Sequence, residues 1–409
     1  MGVLRGLTVF CIAFAVTPAL NAGVLADLEA QLRSHPALQA LQFEVEANER
    51  LAEAAMGLPD PVLSLGVNNV PISDPVFDRF LPTNKAIGIS QQIPNRTTRV
   101  ARAAGASERA IATERLADLR WQSLRADLYS TLRDLGRVEA QQALAVQRER
   151  KLDELTDVIA AEIEAGRPIV FRLAQMDVEK AEVARERVWF ASERGTLQAR
   201  LRDLIGDVPA SLPRVPQPEL IDWDGDPESF QAVQLSRAGV AVAAAAVDEA
   251  RSGLRPNFGL SLTYQMREDG RGGPGSTFVG DDWFSAMLTV SLPVWASSSQ
   301  EPRLRAAQQR RLASEQERNA AARRAEADWR SMREARLGAD GSATMLQQKI
   351  AALDLQLAAL LRNYESGIGD YSPYLDAEIA RLRLQAQVIG DEARRDAATF
   401  RANSMLVVP

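Results

Sequence analysis

Residues able to do covalent or metal chemistry are nearly missing from this sequence of 409 residues, which holds one histidine, His35, and one cysteine, Cys11. A serine-hydrolase triad would have to use His35, and neither a Cys/His site nor a His-rich metal site can be assembled within one chain. A lone histidine before Pro36, a residue suited to the first turn of a helix, is more often a surface or capping residue than a base. We therefore predict no catalytic residue, no metal site, no cofactor and no enzyme activity.

A glycine-rich segment, REDGRGGPGSTFVGDD (267–282), is the remaining candidate for ligand chemistry. It lacks the Lys-Ser/Thr ending of a phosphate-binding loop, so we predict a flexible, solvent-exposed connection. Lys and Arg number 48 against 54 Asp and Glu, a net charge of -6. Such a charge offers no basic surface for phosphate contacts, which argues against nucleic acid as a partner.

The N-terminal segment has the features of a secretory signal peptide. Arg5 is followed by an apolar run, Val9 to Val16, and by the small residues that precede a cleavage site after Ala22. The run is shorter than the about 20 apolar residues that a membrane-spanning helix needs. Removal of residues 1–22 would take away Cys11 and leave no disulfide, no lipid anchor and no helical anchor, which predicts a periplasmic, secreted or outer-membrane protein.

The rest of the chain reads as a tandem duplication. Gly57 and Gly253 open similar segments 196 residues apart, Pro94 and Pro293 end similar segments 199 apart, and the turn at Gly166 recurs 201 residues later at Gly367. A common period near 200 predicts two structural repeats, 23–206 and 228–409, joined by a proline-rich connector, 207–227. Each repeat has the pattern helix, strand, strand, very long helix, turn, helix.

The strands are indicated by alternation of apolar and polar residues. One strand alternates through Phe258, Leu260, Leu262, Tyr264 and Met266, and a second through Phe284, Ala286, Leu288, Val290 and Leu292. The first repeat repeats the pattern more weakly at Leu63, Leu65 and Val67 and at Ile87, Ile89 and Gln91. Each strand should therefore have one apolar and one polar face, with exposed loops between the members of each pair.

The long helices are indicated by two proline-free stretches, between Pro94 and Pro168 and between Pro302 and Pro373. Some seventy helical residues would extend roughly 100 Å. Apolar residues step by three and four, as packed helices require; examples are Leu346, Ile350, Leu353, Leu357, Leu360 and Tyr364. Gly136, Gly338 and Gly341 predict a local break or kink in these helices.

Four strands of about ten residues cannot close a barrel, and a bilayer tolerates no unpaired strand edge. Three chains that each contribute four strands would close a barrel of twelve, with the helices continuing as a tube. The predicted fold class is mainly α with a β portion: coiled-coil helical hairpins forming a periplasmic α-barrel, plus four strands per chain in a trimeric transmembrane β-barrel.

Taken in order, these features resemble the TolC family of outer-membrane efflux channels over essentially all of the mature chain. The resemblance rests on the duplication, the strand endings SQQIP (90–94) and SLPV (291–294), the long helices, and the turn YESG (364–367) followed by LDA (375–377). The HPAL opening (35–38) and the LPDPVLSLGVNNVP strand (58–71) look most like members paired with heavy-metal efflux pumps. The residues themselves give that subgroup no chemical support.

The resemblance implies a homotrimeric conduit in the outer membrane of a Gram-negative bacterium, with a large periplasmic portion. It would be joined by a periplasmic adaptor protein to an inner-membrane efflux pump. Gly166 and Gly367 match the hairpin turns at the periplasmic tip, where the adaptor docks. Tyr364 and Asp376 match a network that closes the tip, but Pro373 stands where a second acid is often found. Arg172 replaces another acid, so the closing pair here would be Arg172 with Asp376.

A second hypothesis is a soluble periplasmic coiled-coil adaptor or scaffold protein. The long helices favour it. Adaptors, however, carry a single hairpin and a compact β domain, whereas these strands come as two spaced pairs within a duplication. Detergent extraction and resistance of a trimer to SDS would distinguish the two.

Overall fold

The computed structural model describes residues 18–166, 170–209, 211–270 and 279–407. It is predominantly helical with one four-stranded antiparallel sheet, which confirms the predicted mainly-α class with a β portion. The helices are α1 Pro18–Arg33, α2 Pro36–Met56, α3 Arg96–Glu164, α4 Phe171–Ile205, α5 Gln231–Ser252, α6 Gln300–Glu365 and α7 Ser372–Ser404. The strands are β1 Val62–Asn68, β2 Asn84–Ile93, β3 Asn257–Met266 and β4 Trp283–Ser291.

Two sequence interpretations concern the N-terminal region. The predicted signal peptide lies outside the described residues as far as residue 17, and α1 begins within it at Pro18. His35 stands at the break between α1 and α2, where its Nδ1 accepts a hydrogen bond of 3.1 Å from the backbone N–H of Ala37. Pro36 is the first residue of α2. His35 is therefore a helix-capping residue, as its sequence context predicts.

The chain divides into two compact units. Unit 1 comprises residues 1–39, 118–231 and 324–409, and unit 2 comprises residues 40–117 and 232–323. Each unit takes segments from both predicted repeats, 23–206 and 228–409.

Unit 2 contains the sheet, whose strands are antiparallel in the order β1-β2-β3-β4. The register places apolar residues beside apolar residues across all four strands, for example Leu65 beside Ile87, Ile87 beside Tyr264, and Tyr264 beside Phe284. The opposite face carries small and polar residues in the same way, with Ser64, Gly88, Thr263 and Ser285 in one row. The sheet therefore has one continuous apolar face and one continuous polar face.

The apolar face of the sheet is open to solvent in the single chain. Leu65 is 72% exposed, Phe284 67% and Leu288 67%. The strands' only charged residue is Lys85, at the loop end of β2, where it pairs with Glu268 at 2.8 Å. In the described ranges, no helix combines the length and apolar character required to cross a membrane.

The glycine-rich connection between β3 and β4 is described only at its ends, because residues 271–278 lie outside the described ranges. Asp269 accepts a hydrogen bond of 2.8 Å from the backbone N–H of Gly280, and Asp282 accepts one of 3.1 Å from that of Arg267. The Arg267 guanidinium lies 3.3 Å from the centre of the Trp283 ring. The two described ends are thus joined to each other by polar contacts.

Unit 1 is a packet of helices with two apolar cores. One core contains Leu28, Leu128 and Leu201, and the other contains Leu155, Val183 and Leu375. α3 runs for 69 residues and α6 for 66 without interruption. The predicted helix breaks at Gly136, Gly338 and Gly341 are therefore wrong. The intrinsic cost of a helical glycine, about 1 kcal/mol, is too small to interrupt a helix whose neighbouring turns are packed.

Candidate functional site at the helical turns

Two helical turns end the hairpins of unit 1, and a glycine with positive φ stands in each. Gly166 follows α3 with φ 91°, and Gly367 follows α6 with φ 72°. In the second turn the backbone N–H of Gly367 donates to the carbonyl of Tyr364 at 2.9 Å, and that of Ile368 donates to Asn363 at 3.0 Å. Both glycines thus have the helix-terminating backbone expected from the sequence. Their part in docking stays a prediction.

Arg172 and Asp376 are brought together between α4 and α7. Arg172 Nη2 lies 2.5 Å from Asp376 Oδ2, and Arg172 Nη1 donates to Ser372 Oγ at 2.5 Å. The side chains are 23% and 45% exposed. Solvent therefore screens the pair, and it contributes under about 1 kcal/mol to the stability of a single chain.

Tyr364 packs elsewhere, against the first residues of α7. Its ring lies 4.8 Å from that of Tyr371, centre to centre, and Tyr371 in turn stacks on Tyr374 at 5.3 Å. We call Tyr364, Tyr371 and Tyr374 the tyrosine cluster. It joins the end of α6 to the start of α7, so the predicted gate residues fall into two neighbouring groups on these helices.

The tyrosine cluster is tied to α3 by a polar network that the sequence did not reveal. The Tyr371 hydroxyl donates to Glu154 Oε1 at 2.9 Å. Lys151 Nζ lies 2.9 Å from Glu154 Oε2 and 3.1 Å from Glu378 Oε2, so one ammonium group links α3 to α7. Lys151 and Glu154, three residues apart, are a recognisable helix-surface pair. Only the packing of α3 against α7 brings Tyr371 to that pair.

Proton affinities in this network follow from its contacts. Burial, with the hydrogen bond to Glu154 as the second cause, raises the pKa of Tyr371 to about 12. The hydrogen bond from Lys151 lowers the pKa of Glu154, and the same hydrogen bond raises the pKa of Lys151. Near neutral pH the phenol is therefore neutral and the carboxylate and ammonium are charged, which is the state in which all three contacts form.

A groove of about 550 Å³ lies between α4 and α7 beside the Arg172–Asp376 pair. Its lining includes Leu152, Met176 and Ile379, and at its far end Arg383 pairs with Glu179. Within the part of the chain that the structure describes, no group of three or more His, Cys, Asp or Glu residues could hold a metal ion. Charge pairs and aromatic packing of this kind can hold helices together or release them.

Comparison with known families gives the next observation: residues 229–401 match the family model described as outer membrane efflux protein. This part of the chain therefore has the sequence pattern of outer membrane efflux proteins. The predicted resemblance to the TolC channels is thereby confirmed at family level. The outer-membrane localisation is confirmed with it. Comparison with curated protein sequences gives no significant match.

Solved structures of outer-membrane channels share the fold over nearly the whole chain. CusC, a protein that undergoes transmembrane channel formation, superposes with a TM-score of 0.75 at 13% identity, covering 94% of this chain and 92% of that one. VceC of Vibrio cholerae gives 0.72 at 15%, covering 94% and 96%. The open-state MtrE channel of Neisseria gonorrhoeae gives 0.73 at 17%, covering 93% and 88%. These likenesses extend the efflux-protein fold to the part of the chain that precedes residue 229.

Proposed function

We propose that the protein is the outer-membrane channel of a tripartite efflux system, a passive homotrimeric conduit from periplasm to exterior. The observation that carries the proposal is the sheet of unit 2. Its apolar face is continuous and open to solvent, and its outer strands β1 and β4 each have a partner on one side only. An apolar face of this kind suits lipid, while the polar face suits a water-filled lumen.

Closure requires other copies of the chain. An open strand edge in a bilayer would leave backbone N–H and C=O groups without partners, at several kcal/mol each. Pairing of β4 of one copy with β1 of the next would remove both edges, and three copies with four strands each would give a barrel of twelve. We therefore assign the trimer, rather than the single chain, as the conducting unit.

Extraction and electrophoresis of the full-length protein test this proposal. The protein should require detergent for extraction from the outer membrane, run as a trimer in SDS without heating and as a monomer after boiling, and form pores in planar bilayers. Release by salt without detergent, or a largest cross-linked species of one or two chains, would contradict the conduit and favour a soluble adaptor or scaffold.

The two turns at Gly166 and Gly367 would receive a periplasmic adaptor, which would connect the conduit to an inner-membrane pump. Gly166 and Gly367 are exposed, and neither has an atom within 4 Å of the position that a Cβ would take. Among the described residues nothing covers these two positions, which leaves them accessible to a partner. We further propose that Arg172, Asp376 and Tyr364 belong to the closure of the tip.

Metal ions are the cargo that the likeness to heavy-metal members favours. Because the described residues contain no metal-holding cluster, such ions would cross the conduit as cargo without a resident site. The pump would then select the cargo, since a passive conduit need not coordinate what it carries.

A further inference from the structure

α4 has a second apolar stripe in addition to the one that packs inside unit 1. Its residues are exposed and follow the three-and-four spacing of a coiled-coil seam over four heptads; they are Phe171, Ala174, Val178, Ala181, Arg185, Val188, Ser192, Gly195 and Ala199. Phe171 is 63% exposed, Val178 69% and Val188 73%. We call this stripe the α4 seam. Trp189, 51% exposed, flanks it.

α6 has a matching stripe on the side away from its packed face. Its residues are all exposed and alternate in steps of four and three from Gly341 onward, with Leu337 four residues earlier; they are Leu337, Gly341, Met345, Gln348, Ala352, Leu355 and Ala359. Met345 is 56% exposed and Leu355 76%. We call this stripe the α6 seam. In the described residues 118–164 of α3 and throughout α7, no large apolar side chain is exposed to this degree.

The spacing indicates what covers these seams. An apolar repeat of 3.5 residues keeps facing another helix that supercoils with it, and lipid or a small ligand would impose no such period. The two seams lie on two different helices of the same packet. A contact between unlike surfaces of identical chains is heterologous, and it generates a ring when the rotation closes.

The height of α4 relative to α7 follows from two ion pairs within the chain. Counted from the glycine of its own turn, Arg172 is the sixth residue of its arm and contacts Asp376, the ninth of the other. Glu179 is the thirteenth and contacts Arg383, the sixteenth. In both pairs the residue of α7 is three residues farther from its turn than the residue of α4 that it contacts.

The height of α6 relative to α7 follows in the same way. Arg381 is the fourteenth residue after Gly367 and lies 3.4 Å from Asp354, the thirteenth before it. Asp391, the twenty-fourth after it, accepts a hydrogen bond of 2.6 Å from Ser342, the twenty-fifth before it. α6 and α7 are thus level, so α4 is offset from α6 by three residues, close to one layer of a 3.5-residue repeat.

A rotation about an axis parallel to the helices moves no residue along that axis. The offset between α4 and α6 of one chain therefore also holds between α4 of one copy and α6 of the next. One layer of the repeat corresponds to alternating offsets of three and four residues. With three, Phe171 faces Ala359 and Val178 faces Ala352; with four, Leu355 faces Ala174 and Val188 faces Gly341, whose Cβ position is open in the single chain. Each of these pairings sets a large residue opposite a small one. Alternation of large and small side chains across a seam is the arrangement that packs without voids.

The seams also supply apolar area. The two seams and Trp189 present seven large exposed side chains: Phe171, Val178, Val188, Trp189, Leu337, Met345 and Leu355. At on the order of 100 Å² each, they supply roughly 700 Å² to one contact, about half of a standard interface, so the seam contact would add to the strand pairing rather than replace it.

We infer that the α4 seam of one subunit packs against the α6 seam of the next, in the register that sets Val178 against Ala352. The inference rests on the proposed trimer and adds to it a specific helical contact. A coiled-coil segment of an adaptor is the competing occupant, and the test below distinguishes the two.

Disulfide trapping tests the register in the full-length chain with Cys11 replaced by serine. Val178→Cys combined with Ala352→Cys should give, on oxidation of the purified protein alone, reducible covalent dimers and trimers, because facing Cβ positions meet the geometry of a disulfide. Each single variant, and Val178→Cys with Gln347→Cys, an exposed position on another side of α6, should stay uncoupled. Co-expression of the two single variants should give dimers only, the mark of a heterologous contact.

A second pair of cysteine variants repeats the test in case the first pair of substitutions causes a folding defect. Ala174→Cys with Leu355→Cys probes the adjacent layer and should couple in the same way. An SDS-resistant trimer in which neither pair couples would overturn the seam contact and leave the proposed function intact, as would coupling that appears only when an adaptor is added. Failure of the wild-type chain to form a trimer would overturn both.

Burial of the seam gives a readout that does not depend on cysteine chemistry. Val188→Glu should lower the temperature at which the SDS-resistant trimer dissociates, because the carboxylate would lose its water on assembly. Gln347→Glu, a control at an exposed position of α6 outside the seam, should leave that temperature unchanged. Equal dissociation temperatures for both variants and wild type would contradict the contact.

Discussion

Single residues at the turns fall into a charged pair, Arg172 with Asp376, and a hydrogen-bonded group that links Tyr371 to Glu154 and Lys151. The charged pair is accessible to water, whereas the phenol is held by burial and by a carboxylate acceptor. Partial exposure makes the pair easy to open, as its proposed part in closing the tip would require. The tyrosine cluster packs beside it and keeps the start of α7 in place.

Removal of either member of the charged pair should loosen the tip. Arg172→Ala and Asp376→Ala should each raise single-channel conductance in planar bilayers, because each leaves α4 and α7 without their shared contact. Asp376→Ala should also reduce block by trivalent cations, since three carboxylates around one axis attract them. Lys180→Ala is the control, because it removes another surface pair of α4, 2.8 Å from Asp153. Wild-type conductance and block in both test variants would place the constriction elsewhere.

The turn glycines can be tested through their backbone. Gly166→Val and Gly367→Val should strain the turns by roughly 1–2 kcal/mol, because a side chain disfavours positive φ. Export of the pump's substrates should fall while the trimer level stays normal. Gly225→Val is the matched control, since Gly225 has φ 91° in the connector, away from the turns. Undiminished export in both turn variants would remove the docking assignment.

At the scale of elements, the two faces of the sheet make opposite predictions for neighbouring residues. Leu288, on the apolar face, pairs with Leu260, while Thr289, on the polar face, pairs with Gly259. Leu288→Arg should cost about 2–4 kcal/mol against lipid near the membrane centre. Thr289→Arg should be tolerated, because its side chain would meet water. The amount of SDS-resistant trimer in the outer membrane measures both, and equal losses would contradict the assignment of faces.

Local patterns predicted the elements well and the contacts between them poorly. Alternation located all four strands, and proline spacing located both long helices, because these signals depend on a few neighbouring residues. The breaks expected at Gly338 and Gly341 did not occur, since packing elsewhere along α6 outweighs a small local cost. Tyr371 escaped notice because its partners, Glu154 and Lys151, lie more than 200 residues earlier. The pairing of Arg172 with Asp376 could be anticipated only through the repeat, which relates the two turns.

At the scale of the whole molecule, the single chain is unfinished in both of its compact units. Among the residues that the structure describes, β1 and β4 of unit 2 each pair on one side only, and the apolar seams on α4 and α6 of unit 1 are uncovered. The open edge of β1 could pair with that of β4, and the α4 seam could pack against the α6 seam. The same threefold association would therefore satisfy both units, and loss of either contact should weaken the assembly that the other supports.

The polar face of the sheet has an electrical consequence. The rows of residues across this face, such as the one from Ser64 through Thr263 to Ser285, consist of hydroxyls, amides, glycines and a few apolar residues. No residue of this face is ionisable. An ion in that stretch would meet no fixed countercharge, so neither cations nor anions would be concentrated there. The stretch would act as a plain ohmic resistor whose conductance scales with the salt around it, leaving any preference for one sign of charge to other parts of the path.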